Sequence, residues 1–167
     1  YRTGGQAERS RDLLLEVLAL QRQVAGPESA AVATVLGELG SVETQLGHAA
    51  AGSAYLEQAV RIAGRLPRVE AIATVPVLLD AGHAAVATGD AQAAVRLFER
   101  AESLLRESPH PDPNALIETL FGLGNGLMQL GEPMRAEAPI LESVRLTEEL
   151  YGADHARLAG PLSALGN

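Results

Sequence analysis

The side chains best able to do chemistry are scattered along this chain. Four histidines stand at 48, 83, 110 and 155. They never fall in the His-Glu-x-x-His spacing that would put two imidazoles and a carboxylate on one helix face for a metal. His48 and His110 fall at turns and His155 begins a helix, so no metal site is expected. There is no cysteine, which removes disulfides, thiolate zinc sites and a thiol nucleophile. No Gly-x-Ser-x-Gly elbow, phosphate loop or dinucleotide fingerprint occurs. Gly122-Leu123-Gly124-Asn125-Gly126 contains a Gly-x-Gly-x-Gly string, but it lies mid-helix and reads as packing. Glu99 with Glu102, and Glu148 with Glu149, read as solvated charge on exposed helix faces. No catalytic residue and no cofactor are expected, and the segment is not expected to be an enzyme.

Charge excludes further classes. The net charge is −8, and all 13 basic residues are arginine. An acidic chain with scattered arginine lacks the electrostatic footprint of a nucleic-acid binder and is unsuited to anionic membrane surfaces. No apolar run near the roughly 18 residues of a membrane span is read, and a cytoplasmic setting is expected. The chain opens on Tyr1 and ends at Asn167 inside an apolar pattern, which reads as a piece of a larger protein.

The elements that position these residues follow from an internal repeat. Gly5, Gly47, Gly89 and Gly131 are 42 residues apart, as are Gly40, Gly82, Gly124 and Gly166. Leu36, Leu78, Leu120 and Leu162 keep the spacing, and so do Leu39, Ala81, Leu123 and Leu165. Three more columns alternate in size: Ser10, Gly52, Ala94, Ala136; then Leu14, Leu56, Phe98, Ile140; then Val17, Ala59, Ala101, Ser143. Seven columns in one register mark a repeat architecture.

Each repeat reads as two helices. In the unit at 113–151, Asp112 suits an N-cap and Pro113 the first helical position. Leu116, Leu120, Leu123 and Leu127 form one stripe. Gly131 suits a left-handed helix end. Ala136, Ile140, Ser143, Leu146 and Leu150 make the second stripe, and Asp154 suits the next N-cap. The same reading predicts helices over 6–24, 28–46, 49–66, 69–88, 91–107, 113–130, 133–151 and 155–167. It divides one 1–167 array into a partial unit at 5–25, units at 28–66, 69–107 and 113–151, and a partial unit at 155–167. Pro76 either kinks the fourth helix or marks its true first turn, with Thr74 capping. The glycines at 40, 82 and 124 should let the paired helix approach closely, opposite the small column at 52, 94 and 136.

A first helix with Leu, then Leu-Gly three and four residues on, a Gly seven further, and a small–large–small second helix resembles the tetratricopeptide repeat (TPR). The 42-residue period and the Tyr151-Gly152-Ala153-Asp154-His155 joint resemble the kinesin-light-chain variety, with Val24-Ala25-Gly26-Pro27-Glu28 a weaker copy. The resemblance implies an all-α, right-handed α-α superhelix of about four hairpins. It also implies a scaffold that holds a peptide or protein on a concave face lined by first helices. Bacterial arrays of this kind follow serine/threonine kinase domains or nucleotide-dependent signalling switches, so a regulatory or self-associating part of such a protein is the alternative expectation.

On that expectation the partner-binding face comprises Thr34, Gly37, Ser41, Thr44 and Gln45 in the first unit. In the second it comprises Leu79, His83, Val86 and Ala87, and in the third Glu118, Phe121, Asn125, Met128 and Gln129. Phe121 and Met128 lie off the core stripe and suit adaptable contacts. The alternative for Phe121, Met128, Leu79 and Val86 is packing against the next first helix. These positions carry no Arg, so a carboxylate clamp for acidic C-terminal tails is not expected. Leu13, Leu14, Val17 and Leu18 leave an apolar face at the front of the array, through which a homo-oligomer is a further expectation.

Overall fold

The computed structural model describes residues 2–152, 155–158 and 160, and among these every regular element is helical. In order they are α1 (Arg2–Val24), α2 (Ala30–Gln45), α3 (Ala49–Arg65), α4 (Arg68–Ala71), a 3₁₀ turn (Ile72–Thr74), α5 (Val75–Thr88), α6 (Ala91–Glu107), α7 (Pro113–Gln129), α8 (Pro133–Tyr151) and a 3₁₀ turn (Ala156–Leu158). The chain divides into two compact units, Tyr1–Ala81 and Gly82–Asn167, the division falling inside α5.

Helix starts are set by capping. The side chains of Ser29, Asp90 and Asp112 accept from the backbone N–H of Val32, Ala93 and Asn114 at 3.3, 3.0 and 2.9 Å. Each satisfies a donor that the first turn leaves without a helical partner. The three hairpin turns are built alike. Gly47, Gly89 and Gly131 have φ of +85°, +80° and +76°, a region that costs a β-carbon-bearing residue steric strain. The amide of each bonds back three residues, to Thr44, Val86 and Met128. The next amide, of His48, Asp90 or Glu132, bonds back five residues to Glu43, Ala85 or Leu127 at 2.8–2.9 Å. This is the paired helix-end pattern that a glycine at the left-handed position permits.

Three sequence expectations change. Gly5 shares the column of the turn glycines, yet α1 begins at Arg2 and Gly5 is helical, with no positive φ. The helix expected over 69–88 is α4, a 3₁₀ turn and α5 in succession. Proline has no N–H to donate and its ring crowds the carbonyl four residues back; Pro76 therefore sits at the second position of α5. Thr74 does not cap it, because its hydroxyl donates to the Ala71 carbonyl at 2.7 Å. Arg68–Thr88 is also, by length and composition, apolar enough to cross a membrane, contrary to the reading that no such run exists. Val75, Val77, Leu78 and Leu79 are buried within the fold, which is why the stretch is apolar. Most of the helix expected over 155–167, with Asp154, lies outside the described residues.

In the first unit the core gathers Leu18, Val32, Ala33, Val35, Leu36, Leu39, Ala59, Ile62 and Val77, with Leu14, Tyr55, Val60 and Leu66 packed against it. At the α2–α3 crossing the two backbones meet. A β-carbon on Gly40 would lie 2.7 Å from Leu56 Cγ and 3.0 Å from the Gly52 carbonyl, and one on Gly52 would lie 2.8 Å from the Gly40 carbonyl. In the second unit Gly124 meets Ile140 and Gly82 meets Phe98 in the same register. Phe98 is fully buried, and a β-carbon on Gly122 would come 2.5 Å from its ring. Gly126 faces Val95, so all three glycines of the 122–126 string are packing positions. Val17, Leu20 and Leu13 of α1 stay exposed while Leu18 is buried on α2; of the apolar face read at the front, only part is open.

Candidate functional site

The side of each first helix that faces away from its own second helix is fixed by the glycine contacts just described. Repeat register then picks out a stripe at spacings of four, three and four: Thr34, Glu38, Ser41 and Gln45 on α2; Pro76, Asp80, His83 and Ala87 on α5; Glu118, Gly122, Asn125 and Gln129 on α7. Such spacing keeps side chains on one face of a helix. Most of these residues are exposed; Thr34, Ser41 and Asn125 are half-buried and Gly122 is buried under Phe98.

In the first unit, Ser41 Oγ lies 3.3 Å from Asp80 Oδ2, linking α2 to α5. Gln45 is exposed. The hydroxyls of Thr34 and Thr44 donate to carbonyls of their own helix, Ala30 at 3.1 Å and Gly40 at 2.9 Å. Gly37 is buried, with Val77 Cγ2 2.8 Å from where its β-carbon would be. Leu79, one repeat after Gly37, is 6 % exposed and offers little surface.

In the second unit, His83 Nδ1 lies 3.7 Å from Glu118 Oε1, joining α5 to α7. The imidazole stands edge-on to Phe98, ring centroids 5.3 Å apart and planes at 61°. Phe98 therefore supports His83 from below, and about half of the side chain of each of His83 and Glu118 stays open to solvent. Val86, Asn125 and Met128 are half-buried, and Ala87 and Gln129 exposed. Phe121 is half-buried, and its Cζ is 3.1 Å from where a β-carbon on Gly160 would stand. Gly160 belongs to the segment after the α7–α8 hairpin.

Sequence reasoning left Glu38 and Asp80 off this face. The signal was present: each stands four residues after a first-stripe position and three before the next, in register with Gly122.

The second helices treat charge differently. Arg106 reaches Glu142 at 2.7 Å and Glu102 at 2.8 Å, and the hydrogen bonds it donates, first to Glu142 and then to Glu102, hold its guanidinium above its ordinary pKa. Arg135 pairs with Glu99 at 3.2 Å and with Glu132, and Arg145 with Glu149 at 2.6 Å. Glu99, Glu102 and Glu149 are therefore ion-paired rather than simply solvated. Among the described residues no group of three or more His, Asp or Glu could hold a metal ion. His48 Nδ1 lies 2.6 Å from the buried Glu43 carboxylate, tying the α2–α3 turn, and His155 stacks on Tyr151, whose hydroxyl bonds Asn114.

No family model matches the chain, and no curated protein matches it. Solved structures do. A protein described as BtubC (BKLC) from P. vanneervenii superposes with a TM-score of 0.71 at 22% identity, over 89% of this chain and 59% of that one. A Podosopora anserina putative kinesin light chain with nearly identical TPR-like repeats, and a point variant of it, give TM-scores of 0.71 and 0.74. Both are at 22% identity, over 99% of this chain and 82% of theirs. The chain thus spans 59% of the length of the first of these relatives. The fold is the all-α, TPR-like helical-repeat superhelix, of the kind seen in kinesin-light-chain repeats.

Proposed function

We propose that this chain is a protein-interaction module that seats a peptide or protein partner on the exposed faces of its first helices. The observation that carries this reading is the stripe itself. The first helices are locked from behind by glycine contacts to Leu56, Phe98 and Ile140, yet they present Glu38, Gln45, His83, Glu118 and Gln129 outward. Helices held in this way, with open polar groups beside half-buried apolar ones, here Val86 and Met128, suit recognition. Little ordering entropy is then spent on the receptor side. Nothing in the stripe has the nucleophile–base or metal-ligand geometry of a reaction site.

The test is partner capture by Asn125→Ala and Phe121→Ala chains, with helical circular dichroism as the check on folding. Capture should fall in both while the dichroism is unchanged. Asn125→Ala is the cleaner of the two, because Phe121 also packs near Gly160. Full capture by both variants would remove this face as the binding site.

A second reading, self-association, is favoured by α1. Leu13, Val17, Leu20 and Val24 recur at four, three and four residues and are 55, 40, 57 and 77 % exposed. A continuous apolar stripe on a surface marks an interaction site more often than isolated apolar residues do.

A further inference from the structure

Helix α1 stands in the register of a second helix. Its Ser10, Leu14 and Val17 come 42 residues before Gly52, Leu56 and Ala59 of α3. In α3, α6 and α8 these columns face the first helix of the same hairpin: Leu56, Phe98 and Ile140 meet Gly40, Gly82 and Gly124. Ala59, Ala101 and Ser143 are wholly buried there, and Ile62 and Leu104 nearly so. The matching residues of α1 are open, Val17 at 40 % and Leu20 at 57 %. The apolar stripe of α1 is thus one side of a hairpin contact without its other side, and a repeat array is stable through such contacts between neighbours. The repeats also define what fits it: an antiparallel helix with the stripe of Leu36, Leu39 and Gly40.

Two observations point to where that helix comes from. First, α1 runs helically through Gly5, without the positive φ by which Gly47, Gly89 and Gly131 let a first helix fold onto its second. A covering helix therefore does not reach α1 through a glycine turn at this point of the chain. Second, the last first-helix sequence, from His155 to Asn167, carries Leu162, Leu165 and Gly166 in the columns of Leu36, Leu39 and Gly40, and the 167 residues hold no second-helix columns to cover them. Its described start lies as a first helix does: Leu158 is buried, as Val32 is in the same column, and Gly160 meets Phe121 of α7. The remainder lies outside the described residues.

We infer, resting on the self-association reading above, that α1 is covered by the 155–167 segment of a second copy. Copies then join head to tail, and Gly166 of one receives Leu14 of the next as Gly40 receives Leu56. Such a contact is heterologous, so every added copy presents a fresh front and a fresh back, and growth continues past two copies unless the rotation closes a ring.

The experiment is light scattering over a concentration series, with helical circular dichroism as the check on folding. The unaltered chain should gain mass beyond two copies. Leu20→Glu spoils the front by placing a carboxylate in an apolar contact. Gly166→Leu spoils the back by overpacking the crossing, and Leu162→Glu is a second back variant. Each of the three alone should stay at the monomer mass. A front variant mixed with a back variant should form a 1:1 complex, because one intact front then meets one intact back. Leu141→Glu, exposed on α8, should leave the mass curve unchanged. If both back variants still associated alone, α1 would be closing on its own kind: self-association would stand and the inference would fall. Folded monomeric variants whose mixture stayed monomeric would also overturn it, as would a loss from Leu141→Glu equal to that from Leu20→Glu. A strict monomer of the unaltered chain at every concentration would remove the self-association reading and the inference with it.

Discussion

A β-carbon placed on Gly82 would come within 2.7 Å of Phe98 Cζ, so the ring of α6 rests on bare backbone of α5. Gly122 of α7 closes on the same ring from its own helix, at 2.5 Å. An aromatic ring cannot yield as a leucine side chain can. Gly82→Ala and Gly122→Ala should therefore each lower stability by about 1–3 kcal/mol through overpacking, although alanine is the better helix former by about 1 kcal/mol. Urea unfolding midpoints measure this. Phe98→Leu should reduce both penalties, giving a coupling between the sites; additive effects would mean the ring is not the obstacle.

The α7–α8 crossing makes the same point with an aliphatic partner. A β-carbon on Gly124 runs into Ile140 Cγ1 and stands 3.5 Å from the Ala136 carbonyl. Gly124→Leu should cost about 1–3 kcal/mol, read as a fall in the unfolding midpoint, and Ile140→Val in the same chain should recover part of the loss.

Two glycines in one sequence column should respond in opposite ways. Gly89→Ala forces an alanine to φ near +80°, at a cost of about 1–2 kcal/mol. Gly5→Ala replaces a helical glycine with nothing within 4 Å of the new carbon and should stabilise by up to about 1 kcal/mol. Thermal melts of the two variants check the contrast, and equal destabilisation would contradict it.

That column shows where sequence stopped informing structure. The 42-residue period was plain because the Gly and Leu columns serve the same contact in each hairpin: Gly40 with Leu56, Gly82 with Phe98, Gly124 with Ile140. Gly5 shares the spacing but not the turn, since spacing records register and not backbone dihedrals. Pro76 disturbs the helix pattern, but a kink and a first turn satisfy that pattern equally, and only the carbonyl geometry ahead of it decides between them. On the candidate face, the sequence puts His83 and Glu118 on the stripes of two different repeats; that they stand 3.7 Å apart depends on the distance between α5 and α7, which no single-helix pattern contains. Leu79 falls on the expected face in the sequence yet is buried, because helix periodicity cannot tell an apolar residue facing a ligand from one packed inside the fold.

If α1 mediates self-association, its exposed stripe should control it. Leu13→Glu and Leu20→Glu remove apolar area where each side chain is more than half exposed, so the fold should lose little. Light scattering over a concentration series should show a larger species for the unaltered chain and a monomer for the double variant. A strict monomer in both would remove the second reading.

The most direct test of the account is to map a bound peptide by backbone NMR shift changes across the described residues. The account predicts changes centred on Glu38, Ser41, Gln45, Asp80, His83, Glu118, Asn125 and Gln129, with α3, α6 and α8 quiet on their outer sides. Shifts confined to those outer sides, with α2, α5 and α7 unmoved, would contradict it.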